Sequence, residues 1–147
     1  MKDFYKQFCE EHFDENGILD SFQITAPDSF NFAYDVIDKI AEMEPDRRAM
    51  VWTNEAGEER VFTFRDISDY STKAANLFAS HGIGKGDTVM LILKRNYQFW
   101  FAILGLHKLG AITVPATNLL TTKDIVYRFR AASIKAIVCT SQCNVHQ

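Results

Sequence analysis

Gly86-Asp87-Thr88-Val89-Met90-Leu91-Ile92-Leu93-Lys94-Arg95 opens the region that decides the fold, which continues through Gly110-Ala111-Ile112-Thr113-Val114-Pro115 and ends with Ile134-Lys135-Ala136-Ile137-Val138-Cys139. Each part contains a short apolar run of strand length, at 87–93, 111–114 and 134–139. Between the first two, a helix is predicted from Asn96 to about Leu109, where Gly110 stops it. Between the last two, Thr122-Lys123-Asp124 opens a helix that reaches about Ala132. Apolar strands with little polar alternation, separated by helices, indicate a parallel sheet covered on both faces. The fold class is therefore α/β, with a parallel βαβαβ unit. None of its five elements carries a recognisable catalytic group.

Upstream, Ala49–Thr53 and Arg60–Phe64 are predicted strands of a β-hairpin, with Gly57 supplying the bend in a polar turn. Thr63 and Asp66 form a capping box ahead of a long helix, and His81-Gly82 ends it. Ile67, Tyr70, Ser71, Ala74, Leu77 and Phe78 trace its expected buried face. An earlier helix is expected after Pro27, with Asp28 or Ser29 as N-cap and Ala33, Tyr34, Ile37 and Ile40 on its apolar face. Residues 3–13 are read as a short amphipathic helix, Asn16-Gly17 as a break, and 21–24 as extended chain. The helix after Asn96 is apolar on almost every side and is expected to be buried all round. Within it, Gly105 suggests close approach of a neighbouring backbone.

The bulk properties exclude several classes. At 147 residues, 47% hydrophobic and 24% charged, the composition is that of a globular domain. A net charge of −3 argues against nucleic acid or an anionic membrane surface as a general partner. Cys9, Cys139 and Cys143 are odd in number and lack framework spacing, so a reducing, cytoplasmic setting is expected. The N-terminus has no apolar signal core, and no apolar run reaches membrane length.

Gly82-Ile83-Gly84-Lys85-Gly86-Asp87 is glycine-rich and carries a lysine. A nucleotide loop needs a strand before the glycines and a helix after them. Here the order is helix, glycines, strand, which reads as a connection. Cys139, Cys143 and His146, with Cys9 and His12, fit zinc spacing poorly, and no metal site is assigned. His81 suits a helix C-terminus, where it offsets the dipole, and His107 reads as a core histidine. Lys94-Arg95 stands at the C-terminal end of a parallel strand, where ligands of open α/β sheets bind. It can meet a phosphate there, or simply solvate a loop.

Asn31-Phe32-Ala33-Tyr34-Asp35-Val36, Phe62-Thr63-Phe64, Ala74-Ala75-Asn76-Leu77 and Gly82 to Val89 occur in a specific order. Gly110-Ala111-Ile112-Thr113-Val114-Pro115-Ala116-Thr117 and Asp124-Ile125-Val126-Tyr127-Arg128 extend it. Together they resemble the N-terminal region of AMP-forming acyl-CoA synthetases of the adenylate-forming superfamily, most of all the medium-chain branch, from about Asp28 to Val138. The resemblance implies that 28–147 is an incomplete N-terminal portion of an adenylation domain, preceded by an extension, 1–27. It further implies a ligase using ATP, Mg2+ and CoA. Such a ligase activates a small-molecule carboxylic acid as acyl-AMP and passes the acyl group to CoA. The family's phosphate loop, later nucleotide motifs, hinge and catalytic lysine lie beyond the matched region. Accordingly no catalytic residue is assigned, and the chain alone is expected to be inert. One binding residue carries over: Leu119, on the turn that approaches the CoA channel, where the branch often has Gln. A non-catalytic binding or scaffold module built on the same fold is the alternative reading. A self-sufficient nucleotide-binding domain is the weakest, given the order around the glycines.

Overall fold

The computed structural model describes residues 3–141, and the chain divides into two units, Met1–Phe30 and Asn31–Gln147. In the first, a single 3₁₀ turn, Phe4–Gln7, precedes an antiparallel hairpin of β1 (Cys9–Phe13) and β2 (Leu19–Ile24). The helix expected over 3–13 is thus confined to one turn. The extended chain wins because Asp14 nucleates a reversal: its carboxylate accepts the N–H groups of Asn16 (2.9 Å) and Ile18 (2.8 Å). Gly17 takes φ +76° there, so Cys9 can pair with Ile24 and Glu11 with Phe22. The break at Asn16-Gly17 and the extended 21–24 segment are as expected.

The second unit opens with a π-helix, Phe32–Asp38, that runs into α1 (Lys39–Met43). Its N-cap is Asn31, two residues beyond the nearer predicted cap, Ser29. Asn31 Oδ1 accepts the Ala33 N–H (3.0 Å), while Asn31 Nδ2 donates to the His107 carbonyl at 2.7 Å. The long-range bond selects Asn31 over its local competitors. Ala33 and Ile40 are buried as expected, but the wider π turn rotates Tyr34 off the stripe and leaves it half-exposed.

β3 (Arg48–Thr53) and β4 (Glu59–Thr63) form the predicted hairpin, with Gly57 at φ +80°. α2 (Phe64–Ser80) starts at the predicted capping box: Thr63 Oγ1 accepts the Asp66 N–H (3.2 Å) and Asp66 accepts that of Thr63 (2.8 Å). Its buried residues are Ile67, Ser71 and Ala75, whereas Tyr70 and Leu77 are exposed, contrary to the expected face. Small residues win that face because another helix backbone approaches it. A Cβ added to Gly105 would lie 2.9 Å from Ala74 Cβ, Ala75 N and Ser71 O.

β5 (Thr88–Ile92), α3 (Gln98–Lys108), β6 (Ile112–Pro115), α4 (Thr122–Ala131) and β7 (Ile134–Cys139) complete the unit. The three strands are parallel, as predicted, and lie in the order β6-β5-β7. Every residue of β5 is buried. Val89 and Leu91 pack with Ala102 and Leu106 of α3, while Met90 and Ile92 pack with Ile125 of α4. Alternate residues of one strand face opposite sides, so α3 and α4 cover opposite faces of the sheet. Each such side chain contributes about 1.5–3 kcal/mol by leaving water. Pro115 is tolerated because β6 is an edge strand among the described residues.

Burial around α3 is incomplete, contrary to expectation: Trp100 is 52% exposed. It stands in the first helical turn, at the rim of the sheet. The other end holds a residue that hydrophobic periodicity overlooks. Lys108 has a side chain only 2% exposed and pairs with Asp38 at 2.9 Å. Its ammonium also donates to Thr72 Oγ1 (2.8 Å) and the Ser68 carbonyl (3.3 Å), tying α3 to α2 and the π-helix. Among the described residues, no helix is long and apolar enough to cross a membrane.

Candidate functional site: the carboxyl edge of the parallel sheet

β5 leads into α3 on one face and β6 into α4 on the other, so the crevice between their carboxyl ends is a topological switch point, where ligands of open α/β sheets bind. The chain leaving β5 turns sharply. Lys94 takes φ +51°, and the Leu93 carbonyl accepts both the backbone N–H (3.0 Å) and the side-chain amide (2.7 Å) of Asn96. Trp52, at the end of β3, donates its indole N–H to the Arg95 carbonyl at 2.6 Å and meets Tyr97 edge-on at 5.2 Å. On the β6 side, Ala116 N–H donates to the Leu91 carbonyl (2.9 Å), extending the ladder past Pro115.

These turns and the β3–β4 turn enclose an open cleft of about 900 Å³, lined among others by Trp52, Asn54, Lys94, Arg95, Thr117 and Asn118. A neighbouring recess of about 340 Å³ shares Lys94, Arg95 and Asn96 and adds Phe99 and Trp100. The positional reading of Lys94-Arg95 thus places both on a concave surface. Trp52 and Asn54 were not anticipated there. A tryptophan ending a strand just before a polar turn was the available signal.

Leu119 is 82% exposed, on the turn after β6, next to Asn118 of the cleft wall. Its N–H donates to Thr117 Oγ1 at 3.2 Å. The glycine-rich 82–87 segment is a helix-to-strand connection, as read from its order, at the amino end of β5. Gly82 and Gly86 take φ +77° and +83°. Asp87 accepts from Lys135 Nζ (2.7 Å) and the Gly84 N–H (2.8 Å), and these bonds, the lysine's foremost, hold its carboxyl below the usual range.

Of the residues weighed for zinc, Cys9 and His12 belong to β1 and Cys139 ends β7, while Cys143 and His146 lie outside the described residues. Among the described residues, no group of three or more His, Cys, Asp or Glu side chains could hold a metal ion. His81 Nδ1 lies 2.9 Å from the Leu77 carbonyl at the end of α2. Burial pushes the His107 imidazole below its ordinary value.

The family profile described as AMP-binding enzyme matches residues 37–147. The chain belongs to the AMP-binding enzyme family. The resemblance to acyl-CoA synthetases read from its residues is borne out by its relatives. Mitochondrial acyl-coenzyme A synthetase ACSM5 of Rattus norvegicus is 35% identical over 126 residues, 82% of this chain and 22% of that protein. Mitochondrial acyl-coenzyme A synthetase ACSM1 of Mus musculus is 38% identical over 122 residues, 79% of this chain and 21% of that one. This AMP-binding family member therefore spans about a fifth of the length of the curated relatives it matches. Among solved structures, an acyl-CoA synthetase of Brucella canis superposes with a TM-score of 0.71 at 29% identity, over 77% of this chain and 21% of that chain. The N-terminal subdomain of Klebsiella oxytoca NpsA gives 0.68 at 24% identity, over 77% and 28%, a likeness of fold.

Proposed function

We propose that this chain is the N-terminal portion of an ATP-dependent acyl-CoA synthetase. The whole protein activates a carboxylic acid, of medium chain length on the branch resemblance, as acyl-AMP and transfers it to CoA. The observation that carries this reading is that the chain aligns with about a fifth of the length of curated relatives that carry the acyl-coenzyme A synthetase name. The chemical need is a leaving group: a bare carboxylate resists attack by a thiol, and adenylation supplies AMP to depart.

Residues 28–147 are then an incomplete N-terminal portion of the adenylation domain and 1–27 an extension. ATP and Mg2+ belong to the whole enzyme. The described residues supply no carboxylate set for the metal, so no step is assigned to them. CoA fits better. The turn at Leu119 borders a cleft with room for a large ligand, and Leu119 offers backbone and apolar contact but no side-chain amide. The compartment in this reading is the cytoplasm, and fractionation of cells tests it against the mitochondrial location in the relatives' names.

Sequencing the gene past the codon for Gln147 tests the ligase reading. A frame that continues into a Thr/Ser/Gly-rich phosphate loop is the expected result. A stop codon there overturns it in favour of a non-catalytic module.

A further inference from the structure

We propose that the Lys94-Arg95-Asn96 turn is a phosphate-binding subsite, taking a doubly charged phosphate group in the cleft between the ends of β5 and β6. Position gives the first argument: the turn occupies the switch-point crevice, and both recesses at that edge share these three residues. Charge gives the second. Lys94 and Arg95 are adjacent and exposed, and among the described residues neither is paired with a carboxylate. Glu55, on the hairpin rim, is the one carboxylate among the residues lining the two recesses.

The third argument is preorganisation. The left-handed Lys94 backbone, two bonds from Asn96 to Leu93 O and the Trp52–Arg95 bond fix the turn before any ligand arrives. A preset turn spares the ligand the cost of ordering the backbone of the loop, leaving only the two side chains to order on binding. Arg95 brings a planar fork suited to two phosphate oxygens, and Lys94 a point charge. Trp100, half-exposed in the adjoining recess, offers a ring face to a purine. The phosphate can thus come from a nucleotide, namely ATP or the adenosine 3′,5′-bisphosphate end of CoA, or from free pyrophosphate. Only this choice of probes rests on the ligase reading.

The chain has two tryptophans, Trp52 and Trp100, and each lines one of the two recesses, so intrinsic fluorescence reports directly on them. The 147-residue chain is titrated separately with adenosine 3′,5′-bisphosphate, ATP and sodium pyrophosphate, and each titration is repeated by calorimetry. Saturable binding of at least one probe is expected. It should weaken at least about tenfold in a Lys94→Gln/Arg95→Gln variant, since charge-assisted contacts are lost. It should persist in the charge-keeping Lys94→Arg/Arg95→Lys variant and in Lys123→Gln/Arg130→Gln, which removes the same charge from α4. Tighter binding of the nucleotides than of pyrophosphate assigns the source to a nucleotide, and the reverse order to the free anion. No saturable response to any probe overturns the proposal, as does binding that the first variant leaves unchanged. Gene sequencing tests the ligase reading without reference to this turn, so the two can fail separately.

Discussion

Replacing Gly105 with alanine tests how closely α2 and α3 are packed. The added Cβ would stand 2.9 Å from Ala74 Cβ, Ala75 N and Ser71 O. Ordinary contact between carbon atoms begins near 3.5 Å, so the helices must separate by roughly 0.6 Å or more along that line. Two of the three atoms are backbone and cannot rotate away. Overpacking typically costs about 1–3 kcal/mol, and immobile neighbours place this site at the upper end. Alanine returns about 1 kcal/mol in helix propensity. The expected net loss is about 2 kcal/mol, which lowers Tm by roughly 8 °C for a domain of this size. The assay is a thermal melt followed by far-ultraviolet circular dichroism, with Gly84→Ala as control. A Cβ at Gly84 meets nothing within 4 Å, so that change should be neutral or slightly stabilising. A Gly105→Ala protein as stable as the parent, or more stable, would refute the reasoning, because the overpacking would then cost no more than the helix propensity gained.

Lys108→Ala should cost about 3 kcal/mol in urea unfolding, since it strands the Asp38 carboxylate and leaves Thr72 and Ser68 without their donor. A Lys108/Asp38 double-mutant cycle should give a coupling above about 0.5 kcal/mol, and simple additivity would contradict the pairing. Acid should destabilise the second unit. Asp66 is held below the ordinary carboxylate range chiefly by the Thr63 N–H, Asp124 by the Thr121 hydroxyl and Asp87 by Lys135. A depressed carboxylate stabilises fully above its unfolded value and loses that contribution as pH falls through its lowered folded one. Tm should therefore drop below about pH 4, and less steeply in Asp66→Asn/Asp124→Asn. The chain alone should release no pyrophosphate from ATP with octanoate and magnesium beyond a no-protein control, and clear release would remove the claim of inertness.

The parallel unit was legible because β5, β6 and β7 are short apolar runs bounded by glycine, proline and charge, with Gly110 stopping the first crossover helix and a threonine–aspartate start opening the second. What escaped depends on partners distant in the chain. Asn31 became a cap through a bond to His107, seventy-six residues away, a distance at which no local rule operates. Leu77 lost its place in the core because Gly105 admits only small neighbours, and the glycine was noticed without knowing which helix it would face. Lys108 looked like the charged end of a helix, and only the convergence of Asp38, Ser68 and Thr72 gives it a buried role. At the site, Lys94-Arg95 could be placed by position along a parallel strand. The contribution of Trp52 required knowing that the hairpin lies against that same turn.

The two-sided cover of β5 also has a consequence in time. Met90 and Ile92 are covered by α4 and β7, and Ile134 follows Ile92 by 42 residues. A ribosome adding about 5–20 residues per second needs roughly 2–8 s to cross that interval. Once α3 has been made, the nascent chain carries for the rest of that interval a strand sheltered on its α3 side and bare on the other. Holdase chaperones that grip apolar extended segments have their opportunity then, and slower codons between 93 and 133 would lengthen it without changing one contact of the finished protein.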